Sequence, residues 1–494
     1  MKVVQATLNI FKEKKDLAVA GIIFLYCFLF AVLRISVSST MELDEAEQFL
    51  NASFFSFGYA LQPPLYSWLA YGMSLLFGMN IYTLIILKYL IMVVFYFSFY
   101  LIAKSFWNTG VSLLITGTLL LFPTYTYEFN RDLSHSVLVT TMASITCYLF
   151  VRLLSREEIK TYLFFGASIG LGFLSKYNFV FFLLPLSIAG ISFREGRRVL
   201  FNKRIVLSFV SCIIIILPHI IWLIKNDYLP FSHALTKADA GALEWTAAGI
   251  IHIVVTSYSG VLVSFVVFLI FFGFSFLYNS AHRCTLHLPL FRHLCFYGLA
   301  FPLVVMAVLR TGHFSERWLA PLLFTLPLAV FSALDISLNS HKFKLLGYLC
   351  IFAAVFTFAT RAFIGFFPDL TGKVERIHTP FRNVSLQLKQ ELAEKGIDDL
   401  RELTIIVDSN FLAANMLACL PGSKVLLISG EDAMKGAAGT KVKVLLWDVS
   451  KKGLDVPEKM TREFPLIISL RPLSAAFLRS SNSHPFVLGA ALVQ

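Results

Sequence analysis

The 494-residue chain carries little charge. Asp, Glu, Lys and Arg make up 15% of it, against 57% hydrophobic residues. Soluble proteins are usually about 25% charged. Together with a mean hydropathy of +0.73, this shortage excludes an ordinary soluble protein and predicts a polytopic membrane protein. The 50 Phe and 18 Tyr suit surfaces that face lipid and its interface with water.

Several motifs are missing as well. The seven Cys are scattered without CxxC or Cys/His spacing, and only Cys419 lies in the polar tail after residue 366. This excludes a disulfide within the tail and argues against a zinc site. The glycines of "SGEDAMKGAAG" lack the spacing of a phosphate-binding loop, and no long-period repeat is evident.

The net charge of +12 does not indicate a nucleic-acid partner. Residues 1–366 carry 26 basic and 16 acidic residues (+10), and residues 367–494 carry 16 and 14 (+2). Most of the excess lies in short loops between apolar segments, which is a signal of membrane topology.

The apolar runs predict eleven membrane-spanning helices, with an upper count of thirteen, because about 20 apolar residues cross the hydrocarbon core. They lie at 17–37, 81–103, 111–128, 133–151, 161–175, 178–193, 205–224, 248–279, 293–310, 318–337 and 343–366. The first run is long and lacks a small-residue cleavage site, so it is interpreted as a retained span and not as a signal peptide.

Basic residues predict the orientation. Seventeen Lys and Arg flank the spans on the side of the N-terminus, and six lie in the opposite loops. The rule that cytoplasmic loops are positive places the N-terminus in the cytoplasm and the C-terminal tail outside. The acidic loop 38–80 and several polar turns are then expected on the outer face with the tail.

Two domains are predicted: a transmembrane domain over 1–366, including the acidic loop 38–80, and a small extracytoplasmic α/β domain over 367–494. "FRNVSLQLKQELAEKG" has helical periodicity and ends at Gly396. "LTIIVDSN", "KVLLISG", "KVKVLLWDVS" and "PLIISL" are short apolar runs bounded by turn residues, as buried strands are.

The loop after the first span holds the most unusual stretch. Met41–Trp68 contains Glu42, Asp44, Glu45 and Glu47 but no Lys or Arg, so these acids are expected to be uncompensated. Adjacent carboxylates at an exposed end are often only a solvated surface. A carboxylate at a lipid interface is also suited to accept a proton from an acceptor hydroxyl or amine during group transfer.

Further candidates share the predicted outer face. The stiff corner "LQPPLYSW" is expected to hold Gln62 and Tyr66 toward a pocket, since the residue before proline avoids the α region. Lys88 lies within a span, where a charge suggests function, although its side chain could also reach the interface. Other titratable side chains expected on this face are Asp132, Lys176, His219, Lys225, His233, His313 and Glu316. His219, beside Pro218, is favoured as a buried contact between helices.

Six motifs in order resemble one family. They are Asp44-Glu45-Ala46; Gln62-Pro63-Pro64-Leu65; Asn130-Arg131-Asp132; Leu174-Ser175-Lys176-Tyr177-Asn178; "LPHIIWLIKNDYLPFSHAL"; and "GHFSERWLAP" from Gly312 to Pro321. Over residues 38–325 the chain resembles the bacterial branch of the dolichyl-phosphate-mannose protein mannosyltransferase family. That branch includes the lipid A aminoarabinose transferases and related lipopolysaccharide glycosyltransferases.

The resemblance implies an inverting GT-C type glycosyltransferase of the bacterial inner membrane. A polyprenyl-phosphate sugar would be the donor, and the acceptor would be lipid A, lipopolysaccharide or another envelope glycan, with protein less favoured. Asp44 would be the general base, with Glu45 beside it, Asp132 would be a second carboxylate, and Lys176 would face the donor phosphate. Gln62 replaces the family's His or Lys, and Arg131 is an added cation that could take over its task.

Three questions stay open on sequence alone. Asp44, Glu45 and Asp132 could hold a divalent metal, although no cofactor is certain. A transporter or flippase for a lipid-linked substrate is the main alternative, but it would be expected to show matching halves with interrupted helices. A non-catalytic assembly factor that uses the tail to bind partners is the third.

Overall fold

The computed structural model describes residues 2–59, 62–230, 262, 265–272, 287–309, 316–334, 340–428, 442–464, 466–481 and 483–493, with side chains from residue 14 onward. Its contacts divide the chain into two compact units. The helical unit comprises residues 1–30, 56–69 and 88–358, and the C-terminal unit comprises 31–55, 70–87 and 359–494. The second unit therefore takes in part of the acidic loop, which differs from the predicted boundary at 366.

The described helices up to residue 225 are α1 (Lys2–Val37), α2 (Leu43–Asn51), α3 (Leu65–Phe77), α4 (Ile81–Lys104), α5 (Thr109–Gly117), α6 (Phe129–Arg131), α7 (Ser134–Ser155), α8 (Ile159–Ser175), α9 (Val180–Ile191), α10 (Arg194–Leu200) and α11 (Ile205–Lys225). Those that follow are α12 (His287–Leu309), α13 (Ala320–Leu323), α14 (Thr325–Ser332), α15 (His341–Phe366), α16 (Pro368–Thr371), α17 (Phe381–Ala393), α18 (Asn410–Cys419), α19 (Val449–Lys452) and α20 (Glu458–Glu463).

Ten of the eleven predicted spans coincide with described apolar helices. Five are long enough to cross a membrane: Lys14–Val37, Ile81–Lys104, Ser134–Ser155, Ile205–Lys225 and His341–Phe366. Two more are bent pairs, Thr109–Leu121 with Thr124–Arg131 at 82° and Tyr177–Ile191 with Arg194–Leu200 at 115°. Shorter helices match the predictions at 161–175, 293–310 and 318–337. Most of 248–279 lies outside the described residues, so the count of eleven stays a prediction.

Small residues bring α8 and α11 close together in the helical unit. A Cβ at Gly166 would lie 2.0 Å from the Ser208 carbonyl oxygen, and one at Gly170 would lie 3.1 Å from the carbonyl oxygen of Cys212. The Ser208 hydroxyl also donates to the Tyr162 carbonyl at 2.7 Å. Small residues four apart allow this approach between helices in a membrane.

A six-stranded mixed sheet forms the centre of the C-terminal unit. Its strands are β1 (Leu403–Val407), β2 (Lys424–Leu427), β3 (Val442–Asp448), β4 (Ile467–Ser469), β5 (Leu473–Ala475) and β6 (Phe486–Val493). The order is β2-β1-β3-β6-β4, with β5 also on β6. β1 pairs in parallel with β2 and β3, while β6 runs antiparallel to β3, β4 and β5.

Alternate strand residues face two apolar clusters, because successive side chains of a strand point to opposite faces. Ile405, Val407 and Leu446 pack with α17 and α18 on one face. Ile406 and Trp447 pack against α20 on the other face. The predicted helix at 381–396 and the four predicted strands are confirmed by α17 and by β1 to β4.

Candidate active site

The acidic helix α2 packs along α18 inside the C-terminal unit. Glu42 is its N-cap residue, and Asp44 and Glu45 lie in its first turn. The Glu45 carboxylate accepts the backbone N–H of Glu42 at 2.9 Å, which is one half of a capping box. Acidic residues in this turn also interact favourably with the helix dipole.

Glu45 has a cation that the sequence pattern did not reveal. Arg34, near the end of α1, donates from Nη2 to Glu45 Oε2 at 2.6 Å and from Nε to Oε1 at 3.3 Å. Arg34 also donates to the carbonyls of Ser38 at 2.8 Å and Thr40 at 2.7 Å. Both charged side chains are only 3% exposed. The expectation that these acids are uncompensated is therefore wrong for Glu45, because the preceding helix supplies the charge.

Asp44 stands in a different environment from its neighbour. Its side chain is partly exposed, and among the described residues it makes no hydrogen bond or ion pair. A general base must be free to reach the proton that it accepts. Within the predicted catalytic pair, Asp44 is thus the more accessible carboxylate, whereas Glu45 is buried against Arg34.

Glu42 is a buried acid, 3% exposed. Burial, together with the nearby Glu45 charge, raises the pKa of Glu42 above its ordinary value of 4.5. The Arg376 Nη1 atom lies 3.7 Å from its Oε2 and opposes the shift. A raised pKa means that folding favours the protonated form, so the contribution of Glu42 to stability falls as pH rises.

Glu42→Gln should therefore remove part of the pH dependence of unfolding. The quantity to follow is the thermal midpoint of the variant minus that of the parent protein. This difference is expected to increase as the pH rises from below 4.5 through the raised pKa of Glu42. A thermal-shift series in detergent checks this, with the exposed Glu394→Gln as control. A midpoint difference that stays constant with pH would contradict the assignment.

A second group of polar residues, the α7 cluster, lies in the helical unit and comprises Tyr66, His135, Ser136, Ser175 and Lys176. Lys176 Nζ donates to Ser136 Oγ at 2.9 Å. His135 Nδ1 lies 3.3 Å from the Ser175 carbonyl oxygen, and its ring centroid is 5.4 Å from that of Tyr66. Two predicted residues, Tyr66 and Lys176, are thus brought together through the first turn of α7, which sequence reasoning did not single out.

Asp132 lies two residues before α7 and is buried, with 7% of its surface exposed. The next residue, Leu133, has a positive φ of 67°. A non-glycine residue in this left-handed region costs about 1–3 kcal/mol and is often found at functional sites. Leu133 is the N-cap residue of α7, so the strained turn joins Asp132 to the start of that helix. The role of Asp132 stays a prediction.

The remaining predicted residues are more dispersed. Gln62 is half-buried before the buried prolines of the corner, and Lys225 is exposed at the end of α11. Arg131 forms a half-exposed ion pair with Glu128 at 3.4 Å. Lys88 is buried, 1% exposed, with Nζ 5.3 Å from the Tyr89 ring centroid. His233, His313 and the Glu316 side chain lie outside the described residues.

His219 is confirmed as a buried contact between segments. Its Nε2 lies 3.0 Å from the Tyr177 hydroxyl, and its Nδ1 lies 2.8 Å from the Phe57 carbonyl oxygen. It thereby connects the middle of the loop 38–80 to α11 within the helical unit. Among the side chains that the structure describes, no three His, Cys, Asp or Glu residues are grouped as a metal site would require.

Comparison with known proteins agrees with the motifs. The profile of the dolichyl-phosphate-mannose-protein mannosyltransferase family matches residues 61–222. The chain is 28% identical over 453 residues to the lipopolysaccharide core galacturonosyltransferase RgtB of Rhizobium johnstonii, and the match covers 89% of each chain. RgtA of the same organism is 29% identical over 349 residues, 67% of this chain and 69% of RgtA. These matches confirm the resemblance to the bacterial branch of the dolichyl-phosphate-mannose protein mannosyltransferase family that the motifs indicate.

The fold agrees with that family. The crystal structure of ArnT from Cupriavidus metallidurans bound to undecaprenyl phosphate matches with a TM-score of 0.60 at 11% identity, and the match covers 97% of both chains. This likeness shows the GT-C fold. The protein is a multi-pass helical glycosyltransferase of the bacterial inner membrane that uses a lipid-linked sugar. The prediction of an enzyme, in place of a transporter or assembly factor, is confirmed.

Proposed function

We propose that this protein is an inverting galacturonosyltransferase that transfers galacturonic acid from a polyprenyl-phosphate donor to the core of lipopolysaccharide. RgtB and RgtA are both named lipopolysaccharide core galacturonosyltransferases, which supports this sugar and this acceptor. One of them matches over nearly the whole chain. The undecaprenyl phosphate bound to ArnT supports a long isoprenoid carrier.

The observation that carries the mechanism is the division of roles between Asp44 and Glu45. Asp44 is partly exposed and free of hydrogen bonds among the described residues, whereas Glu45 is buried against Arg34. In the proposed reaction, Asp44 accepts the proton of an acceptor hydroxyl as its oxygen forms a bond to the anomeric carbon. The bond between that carbon and the phosphate oxygen breaks, the configuration inverts, and polyprenyl phosphate leaves.

The leaving phosphate needs a cation, since a developing charge in a site that excludes water is stabilised by fixed positive groups. We assign this role to Lys176, whose ammonium group is held by the Ser136 hydroxyl at 2.9 Å. Arg131 is the second candidate, although its pairing with Glu128 gives it a carboxylate partner already. Tyr66 and Asp132 are proposed to line the substrate site.

Lys176→Met should weaken use of the donor. Loss of a charge-assisted partner of a phosphate costs about 1.5–3 kcal/mol, so kcat/KM for the donor should fall about 10–150-fold. Steady-state kinetics at fixed acceptor concentration measure this, and Arg131→Met provides the matched comparison. If both variants keep the parent kcat/KM, the donor phosphate does not meet these cations.

The orientation is part of the proposal. The seventeen-to-six bias of basic residues supports a cytoplasmic N-terminus and a C-terminal unit outside. Reporter fusions after Arg198 should accordingly report a cytoplasmic location, and fusions after Thr371 an external one. A cytoplasmic signal after Thr371 would place Asp44 on the wrong side for an external acceptor.

Transfer of a labelled sugar tests the function directly. Purified protein in lipid nanodiscs, given polyprenyl-phosphate-linked radiolabelled galacturonic acid and lipopolysaccharide core, is expected to label the core. Parallel reactions with the aminoarabinose-linked donor test the choice of sugar, and reactions with lipid A alone test the acceptor. No transfer from the galacturonic acid donor, combined with transfer from the other, would overturn the sugar assignment but keep the enzyme class.

A further inference from the structure

The polypeptide that leads into the acidic helix is fastened to α18 by one buried side chain. The Met41 N–H donates to Asn415 Oδ1 at 2.9 Å, and the two residues are 1% and 2% exposed. The Asn415 Nδ2 group donates to the Phe411 carbonyl at 2.9 Å within the same helix. Because the amide nitrogen is engaged there, the amide oxygen is directed at Met41.

A second contact holds the neighbouring residue. The Thr40 hydroxyl donates to the Thr379 carbonyl at 2.9 Å, and both residues are buried. The Thr40 carbonyl in turn accepts from Arg34 at 2.7 Å. Two consecutive residues, Thr40 and Met41, are thus fixed just before the N-cap residue Glu42, and Asp44 lies in the first turn of α2.

An asparagine is an unexpected choice for this position on packing grounds. Its neighbours in α18, Ala413, Ala414 and Met416, are buried and apolar. A buried polar group is costly unless it is hydrogen-bonded, and an apolar side chain would pack there without that cost. What Asn415 provides is a directional bond to one backbone amide, which fixes the direction in which the chain enters α2.

We propose that Asn415 is a positioning residue for catalysis, which fixes the start of α2 and thereby the orientation of the Asp44 carboxylate. The inference rests on the proposed role of Asp44 as the base. In this proposal the α/β part of the C-terminal unit contributes to the reaction, because α18 holds the segment that leads into α2. A displaced base loses rate even when substrates still bind, because a shift of about 1 Å can cost about 10²-fold.

Asn415→Ala in the full-length enzyme should lower kcat by about 10–100-fold, with the KM values for donor and acceptor nearly unchanged. The matched control is Gln387→Ala. Gln387 makes two side-chain bonds to the backbone of Ser474 in β5, at 2.7 and 2.9 Å, within the same unit. Gln387→Ala should therefore lower the thermal midpoint as Asn415→Ala does and leave kcat unchanged.

Amide hydrogen exchange gives a readout that does not depend on turnover. The peptide over residues 38–51 should exchange faster in Asn415→Ala, while peptides from the strands β1 and β3 should not. Thr40→Val, which keeps the shape of Thr40 but removes its bond to Thr379, serves as a second variant that leaves α18 intact. Thr40→Val should also lower kcat, and it provides the test if Asn415→Ala does not fold.

The outcomes separate the two proposals. A parent kcat in Asn415→Ala overturns the positioning role, and so does a loss of the same size in Gln387→Ala. If Asn415→Ala does not fold, a parent kcat in Thr40→Val overturns it. Normal turnover by Asp44→Asn overturns the role of Asp44 as base, whatever Asn415 does. A strong loss in Asp44→Asn with full activity in Asn415→Ala leaves the proposed function standing and removes only the present inference.

Discussion

Asp44→Asn is expected to lower kcat by about 10²–10⁴-fold, the usual cost of removing a general base. Asn keeps the size of Asp but cannot take the acceptor's proton. The residue is partly exposed at the start of α2 and makes no hydrogen bond or ion pair among the described side chains. Expression, membrane insertion and donor binding should therefore persist, and the loss should fall on the chemical step. Turnover of the purified variant on one donor and acceptor is the deciding measurement.

Glu45→Gln is the neighbouring comparison. It is expected to cost less in kcat, since its carboxylate is buried against Arg34. An equal loss in both variants, together with sensitivity to chelators, would indicate that the pair holds a divalent metal. Near-normal turnover by Asp44→Asn would exclude Asp44 as the base and make Asp132, the other predicted carboxylate, the next candidate.

Arg34→Leu is expected to give the largest loss of stability. Removing one partner of a buried ion pair costs about 3–5 kcal/mol, because the other charge is left buried without compensation. The substitution also removes the bonds that hold the carbonyls of Ser38 and Thr40. The midpoint of thermal or chemical unfolding of the purified protein should fall accordingly, and the loop before α2 should become more susceptible to proteolysis.

Two further variants define the cause of that loss. Arg34→Leu combined with Glu45→Gln should recover part of the stability, since it removes the stranded carboxylate as well. Arg401→Ala, which breaks the exposed pair with Asp399, should leave the midpoint nearly unchanged. If Arg34→Leu is as stable as the parent protein, the ion pair does not hold the loop.

The acidic loop shows where sequence reasoning reached its limit. The stretch Met41–Trp68 has no Lys or Arg, which suggested uncompensated acids. Arg34 lies 11 residues before Glu45, inside an apolar span, and α1 must end before the chain can turn back to bring the two together. Counting charges along a segment cannot reveal such a pair, because the pairing depends on the turn between the two helices.

The sheet shows a similar limit. β1 to β4 were predictable as short apolar runs between turn residues. β6 was missed, although it is the eight-residue strand that joins β3, β4 and β5. Its sequence "FVLGAALV" is poor in β-branched residues and contains Gly489, which lies opposite Trp447. A Cβ at this position would come within 2.1 Å of the indole. The glycine is therefore required by the Trp447 side chain of the neighbouring strand, which a pattern within β6 cannot reveal.

The sequence by itself determined the membrane class, nearly all of the apolar helices, one helix and four strands of the tail, and the family resemblance. Each of these depends on composition, periodicity or motifs within a short stretch. Only the tertiary structure decided which carboxylate is accessible and which is locked. Glu45 is bound by a residue of another helix, and the Met41 amide is held by Asn415, 374 residues away. Such contacts follow from how the chain folds back on itself, because hydrogen bonds act over about 3 Å of space whatever the separation in sequence.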